Sequence, residues 1–166
     1  MNRVLALETA AARLAERIGH AFRWLSPTLA RLTIGLVFLQ SGWGKLHDLE
    51  KVTDYFTTLG LPAPALQARL ASTAEFVCGG LLLLGLATRF AAIPLIITMC
   101  VAIRTALWDQ VEGVSTLVGL TEFAYIALLV WLATDGPGPL SLDQLLGRRT
   151  APLDAGRMPA PSHATT

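Results

Sequence analysis

Four stretches of mostly apolar sequence, joined by short connections, constrain this chain more than any other feature. They run from Pro27 to Leu46, Leu66 to Leu86, Phe90 to Trp108 and Val114 to Ala133. A helix of about 20 such residues covers a hydrocarbon core of about 30 Å. The expected fold is therefore all-α, an integral membrane four-helix bundle with antiparallel neighbours. Ser26 and Pro27 read as the cap and first residue of the first span. Pro94, early in the third, predicts a kink or a late helix start.

Composition removes the competing classes. Charged residues make up 15% of the chain and hydrophobic ones 53%, and the mean hydropathy is +0.54. An ordinary soluble domain carries about 25% charged residues. A net charge of +1 leaves no electrostatic footprint for nucleic acid. The two cysteines form neither a CxxC pair nor a zinc framework.

Residues 1–26 do not read as a signal peptide, because no continuous apolar core follows the first arginine. Val4, Leu7, Ala11, Leu14, Ile18, Phe22 and Leu25 instead make one apolar stripe, which predicts an amphipathic helix in the membrane interface. Residues 27–146 form the bundle domain, and the Pro, Ala, Thr and Arg composition of 147–166 predicts a disordered tail. Val52, Tyr55, Phe56 and Leu59 predict a short interfacial helix ended by Gly60 and the Leu61-Pro62 turn. Gly136-Pro137-Gly138-Pro139 ends the fourth span. Ser141 and Gln144 then have capping-box spacing for a turn through Leu142, Leu145 and Leu146.

Basic residues orient the spans. Arg3, Arg13, Arg17, Arg23, Arg89, Arg148, Arg149 and Arg157 fall on one side, whereas the other side has Lys51 and Arg69. Both termini are thereby expected in the cytoplasm.

Charges within the spans mark the candidate site, since each costs about 2.5–3.5 kcal/mol at mid-membrane on insertion scales. Arg31 lies near the cytoplasmic end and is expected to snorkel. Lys45, Glu75, Arg104 and Glu122 come one from each span and are expected to converge as a polar cluster in the outer third of the bilayer. Such a cluster serves either as an ion-pair network that fixes packing or as a pocket for a quinone headgroup, a proton or a small anion. Gln40, Trp43 and His47 lie at the same end and extend the candidate pocket. His47, Asp48, Glu50 and Asp54 match no metal-ligand spacing and read as a solvated acidic loop, so no metal site is assigned. Cys78 and Cys100 fall at similar depth on adjacent spans and make a candidate dithiol, with apolar packing as the competing role.

Several of these residues occur in a combined order that resembles the DoxX family of small four-span membrane proteins. They are Gly42-Trp43-Gly44-Lys45-Leu46, the Gly60-Leu61-Pro62 turn, Glu75, and the run from Gly79 to Leu86 with Thr88-Arg89. Gly136-Pro137-Gly138-Pro139-Leu140-Ser141-Leu142-Asp143 completes the order. The resemblance covers Arg31 to Leu146 and implies a bacterial inner-membrane protein. Some relatives are membrane subunits of thiosulfate:quinone oxidoreductase, and others join thiol-redox or oxidative-stress complexes. The family brings no agreed catalytic residues. The expectation is a subunit of a thiol- or quinone-linked redox system, with quinone as the candidate cofactor and with protein partners in the bilayer. The alternatives are a non-catalytic membrane scaffold or anchor and, third, a small-solute transporter.

Overall fold

The computed structural model describes Phe22 and residues 24–149; the predicted N-terminal helix and most of the predicted tail lie outside the described residues. Among the described residues every regular element is helical. Helix α1 spans Leu25–His47, α2 Leu49–Thr58, α3 Pro64–Leu84, α4 Thr88–Ala102, α5 Val114–Gly119, α6 Thr121–Asp135 and α7 Leu142–Arg149.

The ends of these helices have local causes. Asp48 caps α2 by accepting from the Lys51 amide. Pro64 opens α3 at a position where its missing N–H costs nothing. Gly85 closes α3 in the left-handed region at φ 67°, donating to the Leu82 carbonyl, while Leu86 donates to that of Leu81. This is a Schellman ending, which favours glycine. Helix α4 begins at Thr88, so Pro94 sits inside it and the late start is not observed.

Two segments depart from regular helix. After Ala102, α4 widens into a π-helical turn, Ile103–Leu107, and then tightens into a 3₁₀ turn, Trp108–Gln110. The predicted fourth span is broken: Leu120 is extended (φ −70°, ψ 137°) between α5 and α6. Glu122 consequently lies in the first turn of α6 rather than deep within a continuous helix. Of the four expected spans, only one stretch among the described residues, Thr88–Gln110, is long and apolar enough to cross a membrane. Polar and charged residues dilute α1 and α3, and the break at Leu120 shortens α6 to 15 residues.

Small residues set the main packing. Gly35 and Gly42 on α1 face Gly79 and the Glu75–Phe76 backbone on α3. A Cβ on Gly42 would stand 2.7 Å from the Phe76 Cα, and one on Gly79 would stand 2.9 Å from the Phe38 carbonyl carbon. The two helices therefore touch backbone to backbone, as small residues allow in membranes. Ile34, Phe38, Cys78, Leu82, Leu95, Met99 and Leu129 fill the core between α1, α3, α4 and α6.

The end of the bundle that carries the α3–α4 turn is tied by Arg31 and Asp143. Arg31 is buried and does not snorkel. Its guanidinium donates to the carbonyls of Pro137 (3.0 Å) and Leu140 (2.6 Å). Gly85 lacks a side chain where that guanidinium passes. Asp143 accepts from the amides of Ala87 (2.8 Å) and Thr88 (3.2 Å), capping α4 from outside, and its own amide donates to the Gly85 carbonyl. Ser141 accepts from the Gln144 amide and so starts α7, which continues to Arg149, past the expected boundary at residue 146. The Gly-Pro-Gly-Pro segment and the Leu140 after it thus present carbonyls to Arg31 besides ending a helix.

Candidate functional site

At the opposite end, Lys45 and Glu75 form an ion pair. The Lys45 ammonium lies 2.6 and 2.7 Å from the two Glu75 carboxylate oxygens, and the Ser41 hydroxyl donates to one of them at 2.8 Å. Ser41 and Lys45 are one turn apart on α1, so both reach the same acceptor. Gly42 between them permits the close approach of α3. The Glu75 side chain is 1% exposed and that of Lys45 35%. The lysine thereby connects a buried carboxylate to an open space.

That space is a cavity of about 700 Å³. Lys45, Lys51, Glu75 and Glu122 line it at polar points. Its walls are otherwise largely apolar, from α2, α3 and α4, with Tyr55 and Phe56 contributed by α2. Alanines make the room: Ala71 and Ala74 on α3 face the cavity, as do Ala102 and Ala106 on α4 and its π-helical continuation. Exposed Leu70, Ile97 and Val101 also belong to the lining, so the cavity opens on the outer, apolar face of the bundle. The π-helical turn contributes lining residues, and the Leu120 break leads into Glu122.

The remaining sequence candidates are distributed differently. Glu122 is half-buried in the cavity wall and makes no side-chain hydrogen bond or ion pair among the described residues. Arg104 is outside the cavity lining. It is exposed, and its guanidinium lies 5.1 Å from the centre of the Trp108 ring. The π-helical turn that contains Arg104 breaks the regular 100° register on which convergence depends. Gln40 is exposed. Trp43 stacks on His47 (4.1 Å between centroids) and on Phe76 (5.6 Å), and His47 Nδ1 lies 2.9 Å from the Trp43 carbonyl oxygen. Trp43 and His47 are exposed and lie outside the cavity lining. Cys78 is a free thiol in the core, whereas Cys100 is free and exposed. Among the described residues no three His, Cys, Asp or Glu side chains gather to hold a metal.

Lys51, Tyr55 and Phe56 were not legible as site residues. The apolar stripe of α2 places that helix in an interface but does not reveal that it roofs a cavity.

The DoxX family profile matches residues 26–108, and the chain belongs to the DoxX family of membrane proteins. It is 35% identical to an uncharacterized membrane protein of Mycobacterium tuberculosis, over 91% of this chain and 99% of the relative. A Bacillus subtilis protein, CatD, whose name assigns it provisionally to the oxidoreductases, is 32% identical over 69% of this chain and 82% of its own. The Escherichia coli inner membrane protein YqjF is 29% identical over 73% of this chain and 92% of its own. No solved structure matches the chain.

Proposed function

We propose that this protein is a multi-pass inner-membrane component of a quinone-linked redox system, and that the cavity beside Lys45 and Glu75 holds the quinone. The observation that carries the reading is the composition of that cavity: extensive apolar walls, an opening toward the lipid face, and charged groups gathered at a few points. This distribution suits a ring with an apolar tail, which partitions into the bilayer before it binds. Two N–H groups of Lys45 are accounted for by the Glu75 oxygens, which leaves a third to donate to a quinone carbonyl. The relative named for oxidoreductase chemistry supports the same direction. When bound, a quinone supplies two-electron redox chemistry. The protein's own residues bind the ring, exclude water and present hydrogen-bond partners to its oxygens. The sequence has no CxxC pair or dinucleotide fingerprint, so partner proteins bring the electron donor.

The bundle spans the bilayer with both termini cytoplasmic in this reading. Exposed Leu29, Leu36, Val77, Phe90, Ile93 and Val130 support it, since such a belt has no place in water. The basic asymmetry sets the orientation.

The test is titration of the purified protein in nanodiscs with decylubiquinone, followed by tryptophan quenching against lipid-only discs. Saturable binding is expected, and Ala74→Phe, which fills the cavity, is expected to abolish it while the protein stays folded. Quenching no greater than partition into lipid overturns the proposal.

A further inference from the structure

The two carboxylates of the cavity differ in how far they are already committed. Glu75 is 1% exposed and accepts from Lys45 at both oxygens and from Ser41 at one. It is a fixed element of the wall, and withdrawing its partner would strand a buried charge. Glu122 stands in the same lining with no hydrogen bond or ion pair among the described residues. It occupies the first turn of α6, immediately after the extended Leu120, and lines the cavity there. The free N–H groups and dipole of a helix start favour a carboxylate there. Glu122 is thus the carboxylate with lone pairs to spare.

A carboxylate accepts hydrogen bonds and donates none. A quinone carbonyl also only accepts, so it gains nothing from Glu122. The reduced ring carries hydroxyl groups, which donate. Resting on the quinone reading of the cavity, we infer that Glu122 is the ligand-facing acceptor that selects the reduced form: it receives a hydrogen bond from a hydroquinone hydroxyl, and the site binds hydroquinone more tightly than quinone. Lys45 serves both forms, because its remaining N–H donates equally to a carbonyl or a hydroxyl oxygen. The division follows from the difference in partners and assigns separate roles to the two glutamates.

Hydrogen bonds to a charged acceptor are roughly twice as strong as neutral ones, and the expected preference is about tenfold. By linkage a tenfold preference for the reduced form raises the midpoint potential of the bound couple by about 30 mV.

The experiment measures decylubiquinone and anaerobic decylubiquinol binding to the full chain in nanodiscs, for wild type, Glu122→Gln, Glu122→Leu and Lys45→Met. Helical circular dichroism and the thermal midpoint establish that each variant is folded. Wild type is expected to bind the quinol about tenfold more tightly. Glu122→Leu should lose about tenfold for the quinol and less than twofold for the quinone. Glu122→Gln, whose amide oxygen still accepts a neutral hydrogen bond, should lose only part of that preference, and Lys45→Met should weaken both forms. Equal affinity of the two forms in wild type, or equal losses for both forms in the Glu122 variants, overturns the role of Glu122 and leaves the cavity a quinone site. Absence of saturable binding of either form to wild type overturns the cavity reading itself.

Discussion

Gly42 brings the backbone of α1 onto that of α3 at Phe76, and this contact fixes the distance over which Lys45 meets Glu75. A Cβ at position 42 would lie 2.7 Å from the Phe76 Cα and 2.9 Å from the Glu75 carbonyl carbon. Backbone atoms of a helix cannot swing aside as a side chain can. Gly42→Ala should therefore push the helices apart and destabilise the bundle by about 2 kcal/mol, within the usual cost of overpacking. The thermal midpoint in detergent reads the loss. Gly44→Ala is the control, since nothing lies within 4 Å of its added methyl, and it should be neutral or stabilising. Equal effects at both positions would refute the close-contact account.

The ion pair makes a second prediction. Lys45→Met leaves Glu75 buried and unpaired by lysine, and Glu75→Leu leaves Lys45 without its carboxylate. Breaking a fully buried pair costs about 3–5 kcal/mol, and the partial exposure of Lys45 brings the expected loss to the low end. Lys45→Met combined with Glu75→Leu should be more stable than the sum of the single losses implies. Additive losses in denaturant titrations would mean that the pair contributes no coupling.

Much of the helical framework was legible in the sequence, and what escaped has identifiable causes. Hydrophobic length marked α1, α3 and α4, and Pro64 and Gly85 mark ends by local chemistry. The break at Leu120 lies inside the mostly apolar stretch Val114–Ala133, where Gly119 on one side and Thr121-Glu122 on the other are too short an interruption for a hydropathy average to register. Lys45 and Glu75 were legible as costly charges at one depth. Arg104 shared that depth, but depth does not fix the helical face once a π-helical turn intervenes. Arg31 escaped for another reason: its acceptors lie 106 and 109 residues along the chain, and a tertiary contact leaves no periodicity.

Arg31 also sets a third expectation. Its planar fork reaches two carbonyls in different directions, which a lysine ammonium on a thinner stem does not reproduce. Arg31→Lys should cost about 2 kcal/mol, because at least one part-buried carbonyl loses its charged donor. Asp143→Ala, which removes the external cap of α4, should cost about 1 kcal/mol. Both variants should speed hydrogen exchange at the amides of Ala87 and Thr88, Asp143→Ala more strongly. Unchanged exchange there in Asp143→Ala would show that the carboxylate does not cap the helix.

The two thiols provide the last expectation. Cys78 is packed in the core with Phe38, Leu82 and Met99, while Cys100 faces outward on α4. A thiol reacts as its thiolate, and apolar surroundings disfavour that form, so Cys78 should react slowly with a membrane-permeant maleimide. Cys100 should label at least tenfold faster with the same reagent in detergent. Cys100→Ala is expected to change stability by less than about 0.5 kcal/mol, as outward-facing substitutions usually do. Cys78→Ala removes a buried sulfur atom and should cost about 1 kcal/mol through the small void it leaves. Alkylation of native protein with and without prior reduction, read by mass spectrometry, separates packing from redox chemistry. Equal labelling with and without reductant, together with full quinone binding by both alanine variants, is the expected result. A reductant-dependent gain of two labelled thiols per chain, or matching loss of function in the two variants, would mean that Cys78 and Cys100 act as a pair and would overturn their reading as independent residues.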